Sequence, residues 1–506
     1  MSTVGTFCLV LHSHLPWVAH HGRWPVGEEW LYQAWVQSYL PLVRVLRKLG
    51  ASGHSDVLTL GVTPVLAAQL DDPHCLRGAA EWAADWSLRA QQLASRPEPQ
   101  VRTLASEEFV SASAALDELA TTWRHGGSPV LRGLADDGVV ELLGGPATHS
   151  FLPLLDAAVA ETALEVGLED HLRRFGAVPQ GIWAPECGHS PGLENLYARA
   201  GVRHLVLDEA TVAATGRHVH AGWRMGDTDV VAVGRDLEVT NRIWSSRSGY
   251  PAGAHYRDFH AVDRGSGVRL SAVTGPDAEK RWYDNDAAAA AVRHDVDDFV
   301  SAVRQRLLSV AGNDRPPLVV AAYDTELFGH WWHEGPAFLE AVLRAMPEAG
   351  VRVTTLSKAL GDDALVAGRL DAGPGSWGAG KDFSVWAGEP VRPMADEAFW
   401  LQRRLLDTLA AERLDVSRPG RRAELDQLLR EALLTLSSDW AFMVTRDSAA
   451  DYAAERERGH RVAFHTLAEL VAAGRRDEAL TEAAGQRAVD GPFGWLDARA
   501  VRASRP

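Results

Sequence analysis

Leu318-Val-Val-Ala-Ala-Tyr-Asp324-Thr-Glu-Leu-Phe-Gly-His-Trp-Trp-His333 starts as an unbroken apolar run and ends in a crowd of aromatic and histidine residues. A short continuous apolar run reads as a strand buried on both faces, the condition of a parallel sheet sandwiched by helices. Asp324 then emerges at the carboxyl end of that strand, where parallel α/β folds collect their chemistry. Working outward, the same pattern recurs at Phe7–Leu11, Val57–Gly61, Val139–Leu143, Gly181–Ala184, His204–Asp208, Val230–Val233 and Val351–Thr355, with helical stretches between. Seven or eight such strands predict an α/β fold of the (β/α) barrel type, with a doubly wound sheet as the alternative. Polar residues accompany several of the strands: His12 and His14 follow the first, Glu141 lies within the third, Glu186 follows Gly181–Ala184, and Asp208, Asp236 and Asp324 end later ones. Their recurrence points to one site assembled from distant segments.

The spacing of strands is uneven. Between Gly61 and Val139 lies a mostly helical stretch, with helices expected over Glu81–Leu93 and Glu107–Arg124 and a break at Pro97–Pro99. After about Pro393 the strands stop, and Ala395–Arg413, Arg421–Leu436 and Ala449–Arg475 read as amphipathic helices; Leu401, Leu405 and Leu409 recur at spacing four. The expected organisation is a catalytic barrel over 1–71 and 137–393, a helical insert over 72–136 and a C-terminal helical domain over 394–506.

A formal charge of −16 disfavours non-specific binding to nucleic acid or anionic membranes and does not repel a neutral sugar. Three cysteines, Cys8, Cys75 and Cys187, form no disulfide framework, and Phe7-Cys-Leu-Val-Leu11 follows the start without a basic, then long apolar, leader. The expected location is cytoplasmic. Tryptophans number 18, more than tyrosines or phenylalanines; each fills a core more readily than it stacks on a sugar, but several lie beside the polar candidates.

Glu186, in Trp183-Ala-Pro-Glu186, follows a strand on a turn, where a carboxylate can attack an anomeric carbon, move a proton or bind a metal; the plainer reading is a glutamate at a helix N-terminus. The residues after Asp324 suit a sugar subsite, or simply a well-packed loop. Two carboxyl groups are what glycoside cleavage requires, one protonating the leaving oxygen and the other capturing the oxocarbenium-like centre. His12-Ser-His14 at a strand end projects two imidazoles to one side, good geometry for a divalent metal or a hydrogen-bonded sugar.

His12-Ser-His14-Leu-Pro16, Glu141 through His149, Trp183-Ala-Pro-Glu186-Cys-Gly, Tyr323-Asp324-Thr-Glu-Leu-Phe-Gly-His-Trp-Trp and Ser437-Ser-Asp-Trp440 resemble, in order, five motifs of family-57 glycoside hydrolases. Gly27-Glu-Glu-Trp30, Trp244-Ser-Ser, Gly249-Tyr-Pro251 and Ser376-Trp377-Gly resemble the branching-enzyme subgroup. The resemblance implies a seven-fold (β/α) barrel, Glu186 as nucleophile and Asp324 as general acid/base. It further implies His12, His14, Trp30, His149, Trp183, Trp377, Trp386, Asp439 and Trp440 as substrate-binding positions, an α-glucan substrate, and no metal or cofactor. Relatives in that subgroup carry a mobile, tyrosine-bearing loop over the site; between Asp208 and Ile243 no tyrosine occurs, so side hydrolysis is expected beside branching. Trp377→Ala is expected to lower branching more than hydrolysis. The competing expectations are a sister amylase, a metal-dependent hydrolase using His12 and His14 with Asp324 as ligand, and a non-catalytic glycan-binding protein.

Overall fold

The computed structural model describes residues 3–245, 247–275, 278–312, 315–412 and 420–501. Ser246, Arg413 and the outermost ends of the first and last expected domains lie outside the described residues. The strands are β1 (Gly5–Ser13), β2 (Leu58–Val62), β3 (Val140–Leu143), β4 (Gly181–Ile182), β5 (His204–Leu207), β6 (Gly222–Met225), β7 (Val231–Gly234), β8 (Leu318–Asp324), β9 (Val351–Val353) and β10 (Val366–Leu370).

β1 is buried along its whole length and pairs in parallel with β2 on one side and β8 on the other. The order continues from β2 to β3, crosses to β4 through the Gly144–Ile182 bridge, and runs through β5 to β7. Asp236, just past β7, donates its N–H to Val320 O of β8 at 2.8 Å and closes the ring. Seven strands, β1, β2, β3, β4, β5, β7 and β8, therefore form a distorted (β/α)7 barrel. Its lumen is filled by Cys8, Val10, Leu143, Val206, Val233, Val320 and Ala322. Cutting a fully buried leucine of this wall, such as Leu318 (0% exposed), to alanine removes about 2–5 kcal/mol of stability.

Three strands stand outside the ring. β9 pairs only with the first residues of β1. β6 runs antiparallel to β7 and parallel to β10, an external ribbon anchored by Trp223, Met225 and Leu370; sequence pattern anticipated neither β6 nor β10.

The helical stretch between β2 and β3 comprises Pro73–Leu93, Pro99–Ala120 and Ser128–Asp136. The first two pack on each other as a hairpin, whereas Ser128–Asp136 lies against β3 and the helix Ala157–Phe175 as an ordinary barrel crossover. A second excursion, residues 245–284, is held by three antiparallel bridges. It covers the hairpin by packing Val268, Leu270 and Tyr283 on Leu93, Val101 and Leu104.

The C-terminal helices are Arg392–Ala411, Ala423–Thr435, Ser438–Thr445, Ala450–Ala472 and Arg476–Val489. Every residue of Ala423–Thr435 after the first is buried, and its central arginine, Arg430, donates to Pro492 O and Phe493 O instead of meeting solvent. The chain breaks direction at Ser437, whose backbone is extended. That break delivers the start of Ser438–Thr445 to the barrel mouth, where Ser437 pairs with Ser150 and Ser438 N donates to His149 O at 3.1 Å. None of the helices among the described residues is long and apolar enough to cross a membrane.

Candidate active site

β4 ends in Gly181–Ile182, and the chain turns through the short 3-10 segment Pro185–Cys187. Glu186 and Cys187 both have positive φ, 62° and 50°. Left-handed backbone at a non-glycine residue costs on the order of 1–3 kcal/mol and persists only where the surroundings hold it. Here Cys187 N donates to Ala184 O, Gly188 N to Pro185 O, and Trp377 N to Glu186 O at 2.8 Å. Gly188 is required for space, since a Cβ there would meet the Phe151 ring at 2.5 Å.

The strained turn aims the Glu186 carboxylate into the mouth, where it is 7% exposed. Trp377 Nε1 donates to Oε2 at 2.7 Å and Ser438 Oγ donates to Oε1 at 2.8 Å. An indole N–H can only donate, so this bond favours the ionised carboxylate. Burial raises the carboxyl pKa, and these two donors oppose the shift.

The Ser438 hydroxyl fixes the protons behind it. With its own hydrogen given to Glu186, Ser438 Oγ accepts from His149 Nδ1 at 2.9 Å. His149 Nε2 is then bare and accepts from His12 Nε2 at 3.2 Å. The relay His12, His149, Ser438, Glu186 is thus consistent with two neutral imidazoles, and burial, with neighbouring histidines next, pushes both pKa values well below the usual range. His14 stacks on His149 at 3.8 Å and contacts Asp439 at 2.9 Å and Thr63 Oγ1 at 2.9 Å. Burial would raise the Asp439 carboxyl, but His14 and His149 hold it below its usual value.

Asp324 ends β8 directly opposite His12 in register and is partly exposed at the mouth. Its carboxyl pKa is raised well above normal, first by burial, then by the Glu326 and Glu186 carboxylates. Glu326 lies one turn on, accepts from the Tyr39 hydroxyl and from His14 N, and is pushed up to about 7, chiefly by burial. Tyr39 closes a π-helical turn, Trp35–Tyr39, whose Ser38 hydroxyl also holds Thr325 O. Across the mouth, Arg235 pairs with Asp208 at 2.8 Å and lies 5.1 Å from the Trp377 ring centroid, while Lys381 reaches the same Asp208.

Glu186, Asp324, His12, His14, His149, Trp183, Trp377 and Asp439 come together. Within that group His12, His149 and Trp183 are buried to 3%, 3% and 2%, with His12 stacked on Trp183 at 4.5 Å; they support the mouth more than they line it. Trp386 and Trp440 are 3% and 1% exposed, stacked on Phe151 and donating to Leu434 O respectively. Both rings are largely taken up in packing, and what they leave open borders a pocket of about 210 Å³ beside Phe151 and Met394. Trp30 is partly exposed and sits edge-on to Tyr452. Glu141 is not at the mouth: it lies two residues inside the end of β3, bonded to Thr59 and Ser357 N and 2.9 Å from His204. Asp236 caps the helix Leu237–Trp244.

Two expectations change. The segment between Asp208 and Ile243 is no simple cover over the mouth: it descends into β6, where His220 O accepts from Leu318 N at the start of β8, and climbs back through the barrel strand β7 to bring Arg235 beside Trp377. And Trp377 is more than a stacking surface, because its indole N–H is bonded to Glu186. Trp377→Phe keeps the ring and deletes that donor. A hydrogen bond to a charged group is worth about 1.5–3 kcal/mol, so branching and hydrolysis should fall together, roughly 10- to 100-fold in kcat, instead of branching alone. A variant that lost branching with hydrolysis intact would show the bond to be idle.

Residues that pattern alone did not single out are Ser438, Arg235, Lys381, Tyr39 and Glu326. Glu326 had the one usable signal, a second carboxylate two positions after Asp324.

Donor atoms of His14, His149 and Asp439 lie within 4.8 Å of one another. Both nitrogens of each imidazole already have partners, so a cation would have to displace Thr63, Ser438, His12 or Asp439 contacts.

Residues 8–365 match the sequence profile of "Glycosyl hydrolase family 57", and residues 401–501 that of "1,4-alpha-glucan branching enzyme, C-terminal". A probable 1,4-alpha-glucan branching enzyme of Mycobacterium tuberculosis is 50% identical over 521 residues, covering 98% of each chain. The solved family-57 branching enzyme of Thermococcus kodakarensis superposes with a TM-score of 0.91 at 28% identity, covering 99% of this chain and 97% of that one. The branching enzyme of Pyrococcus horikoshii gives 0.92 at 27%, covering 99% and 98%.

Proposed function

The chain belongs to glycosyl hydrolase family 57, and from that premise we propose that Glu186 is the nucleophile and Asp324 the general acid/base of its reaction. The reaction is transglycosylation: an α-1,4-glucan is cleaved with retention and the released chain is rejoined through an α-1,6 bond. Asp324 donates a proton to the leaving 4-oxygen as Glu186 attacks the anomeric carbon, giving a glycosyl-enzyme. Asp324, now ionised, takes the proton from an acceptor 6-hydroxyl as that oxygen displaces Glu186. The observation that carries these roles is the hydrogen bonding of Glu186. Burial raises both carboxyl pKa values, but at Glu186 two neutral donors oppose the rise and aim the carboxylate without a cation to quench its nucleophilicity, while at Asp324 neighbouring carboxylates add to burial and push it well up. Environments that set the pKa values of two carboxyl groups apart assign acid and nucleophile.

The division of labour we propose gives the barrel (1–71 and 137–393) both carboxyl groups and the C-terminal helical domain (394–506) Ser438 and Asp439, so that the site is complete only when the two are docked. The 72–136 insert contributes nothing to the carboxylate site.

Incubation with amylose tests the function: α-1,6 branch points counted after debranching and reducing ends counted before it. Branches are expected, accompanied by reducing ends, because water is at about 55 M and must be excluded for the acceptor to win, and the 208–243 segment carries no tyrosine to close over the mouth. Reducing ends without branches would make the protein an amylase-like hydrolase. Activity should survive exhaustive chelation; activity that vanished and returned with zinc would promote the metal-hydrolase reading.

A further inference from the structure

A groove of about 470 Å³ opens between the helical insert, the 245–284 excursion and the loop that follows Asp324. The catalytic groups Glu186 and Asp324 are not among its lining residues, nor are His12, His14, His149 and Trp377. The loop from Asp324 to His333 is the shared wall: it turns Asp324 to the barrel mouth and His330, Trp331 and His333 to the groove. The size lies within the range of small-ligand sites, roughly 300–1,000 Å³.

Its chemistry is specific. Trp331 is 39% exposed, and Trp86 and Phe259 are partly exposed, so aromatic surface is left unpacked on three sides. The charges that line it are largely compensated. Arg257 pairs with Glu108, Arg89 with Asp85 at 3.2 Å, and Arg44 with Glu118 at 2.7 Å. Arg269 donates to Phe259 O at 2.7 Å and lies 4.4 Å from that residue's ring centroid. Burial pushes His330 down to about 3 and His333 well below its usual value, so both imidazoles are neutral. One buried donor of the groove is left without a partner, Nε of Arg257, whose side chain is 7% exposed. A ligand hydroxyl there would recover the hydrogen bond that burial denies it.

Aromatic faces, compensated charge and an unspent donor suit a neutral polyhydroxylated ligand better than an anion. We propose that this groove is a second α-glucan-binding site, which holds a segment of the polymer outside the catalytic cleft through Trp86, Phe259 and Trp331 with Arg257 beneath. The proposal rests on the glucan reading of the catalytic site and adds a tether to it. A tether raises the local concentration of chains near the glycosyl-enzyme, of value to a transferase that must find an acceptor before water does.

The test uses the full chain carrying Glu186→Gln, so that polymer is bound and not consumed. Native electrophoresis through amylopectin measures its retardation, with Glu186→Gln/Trp86→Ala/Phe259→Ala beside it. Removing two aromatic platforms should weaken retardation about tenfold. Equal retardation of the two proteins, or none of the parent, overturns the proposal; wild-type branching of amylose is scored separately, so failure of the groove and failure of the function are distinguishable. Should the triple variant melt at a much lower temperature, hydrogen exchange on the Glu186→Gln protein decides. Maltoheptaose should protect 82–89 and 257–269, and protection confined to the barrel mouth overturns the proposal.

Discussion

Glu186→Gln should lower both transfer and hydrolysis about 10³-fold or more while the protein stays folded. The two reactions share one covalent intermediate, so a lesion at the nucleophile cannot separate them. The amide is close to isosteric; its carbonyl oxygen can accept from either Ser438 or Trp377, and its NH₂ then faces the other, whose donated bond is lost. The substitution also removes a buried carboxylate that burial drives toward protonation, so the melting temperature should hold or rise. The measurement is initial rate on amylose by both branch-point and reducing-end assays, with a thermal melt. Retention of more than about a tenth of wild-type activity would remove Glu186 from the role.

Glu186 and Asp324 could be found in sequence because each follows an apolar strand, and the strand-end rule carries a residue to the mouth without any knowledge of its neighbours. Glu141, which pattern places within the third strand, does sit inside β3, among Thr59, Ser357 and His204 and away from the mouth. A strand's last residue is set by where pairing stops, which pattern locates to within only a residue or two. The barrel strands were legible as apolar runs. β6, Gly-Trp-Arg-Met, and β10, Val-Ala-Gly-Arg-Leu, were not, because they pair outside the ring and Arg224 and Arg369 interrupt the apolar run that would announce them. Trp386 and Trp440 show the limit of counting aromatics: a tryptophan's position in a motif does not say which neighbours cover it, and here Phe151 and the C-terminal helices do. Ser438 carries no signal beyond its motif. Its part in the relay to Glu186 depends on the change of direction at Ser437, a tertiary event.

Asp324→Asn should lower amylose branching by roughly 10²- to 10⁴-fold, the range of a positioned general acid/base, and in a way that distinguishes it from Glu186→Gln. An asparagine can neither protonate the leaving 4-oxygen nor accept the acceptor's proton, so both steps slow on a glucan. An aryl α-maltoside with an acidic phenol needs no proton to depart, so its first step survives. The second step, which needs a base, does not, and the glycosyl-enzyme on Glu186 should accumulate: a stoichiometric burst of phenol, with the protein's mass increased by the transferred sugar. The pH dependence supplies the second signature. The wild-type alkaline limb reports the carboxyl that must be protonated, and Asp324 is held protonated first by burial and then by the negative charges of Glu326 and Glu186. Removing one of those charges with Glu326→Gln lowers the Asp324 pKa, so the alkaline limb of kcat/KM should move to lower pH; in Asp324→Asn that limb should be absent. Where ionisable groups interact, a pH–rate limb reports the set and not one residue, so its displacement between variants is the meaningful quantity. Absence of a burst in Asp324→Asn, or an alkaline limb that Glu326→Gln leaves in place, would mean that another group carries the proton.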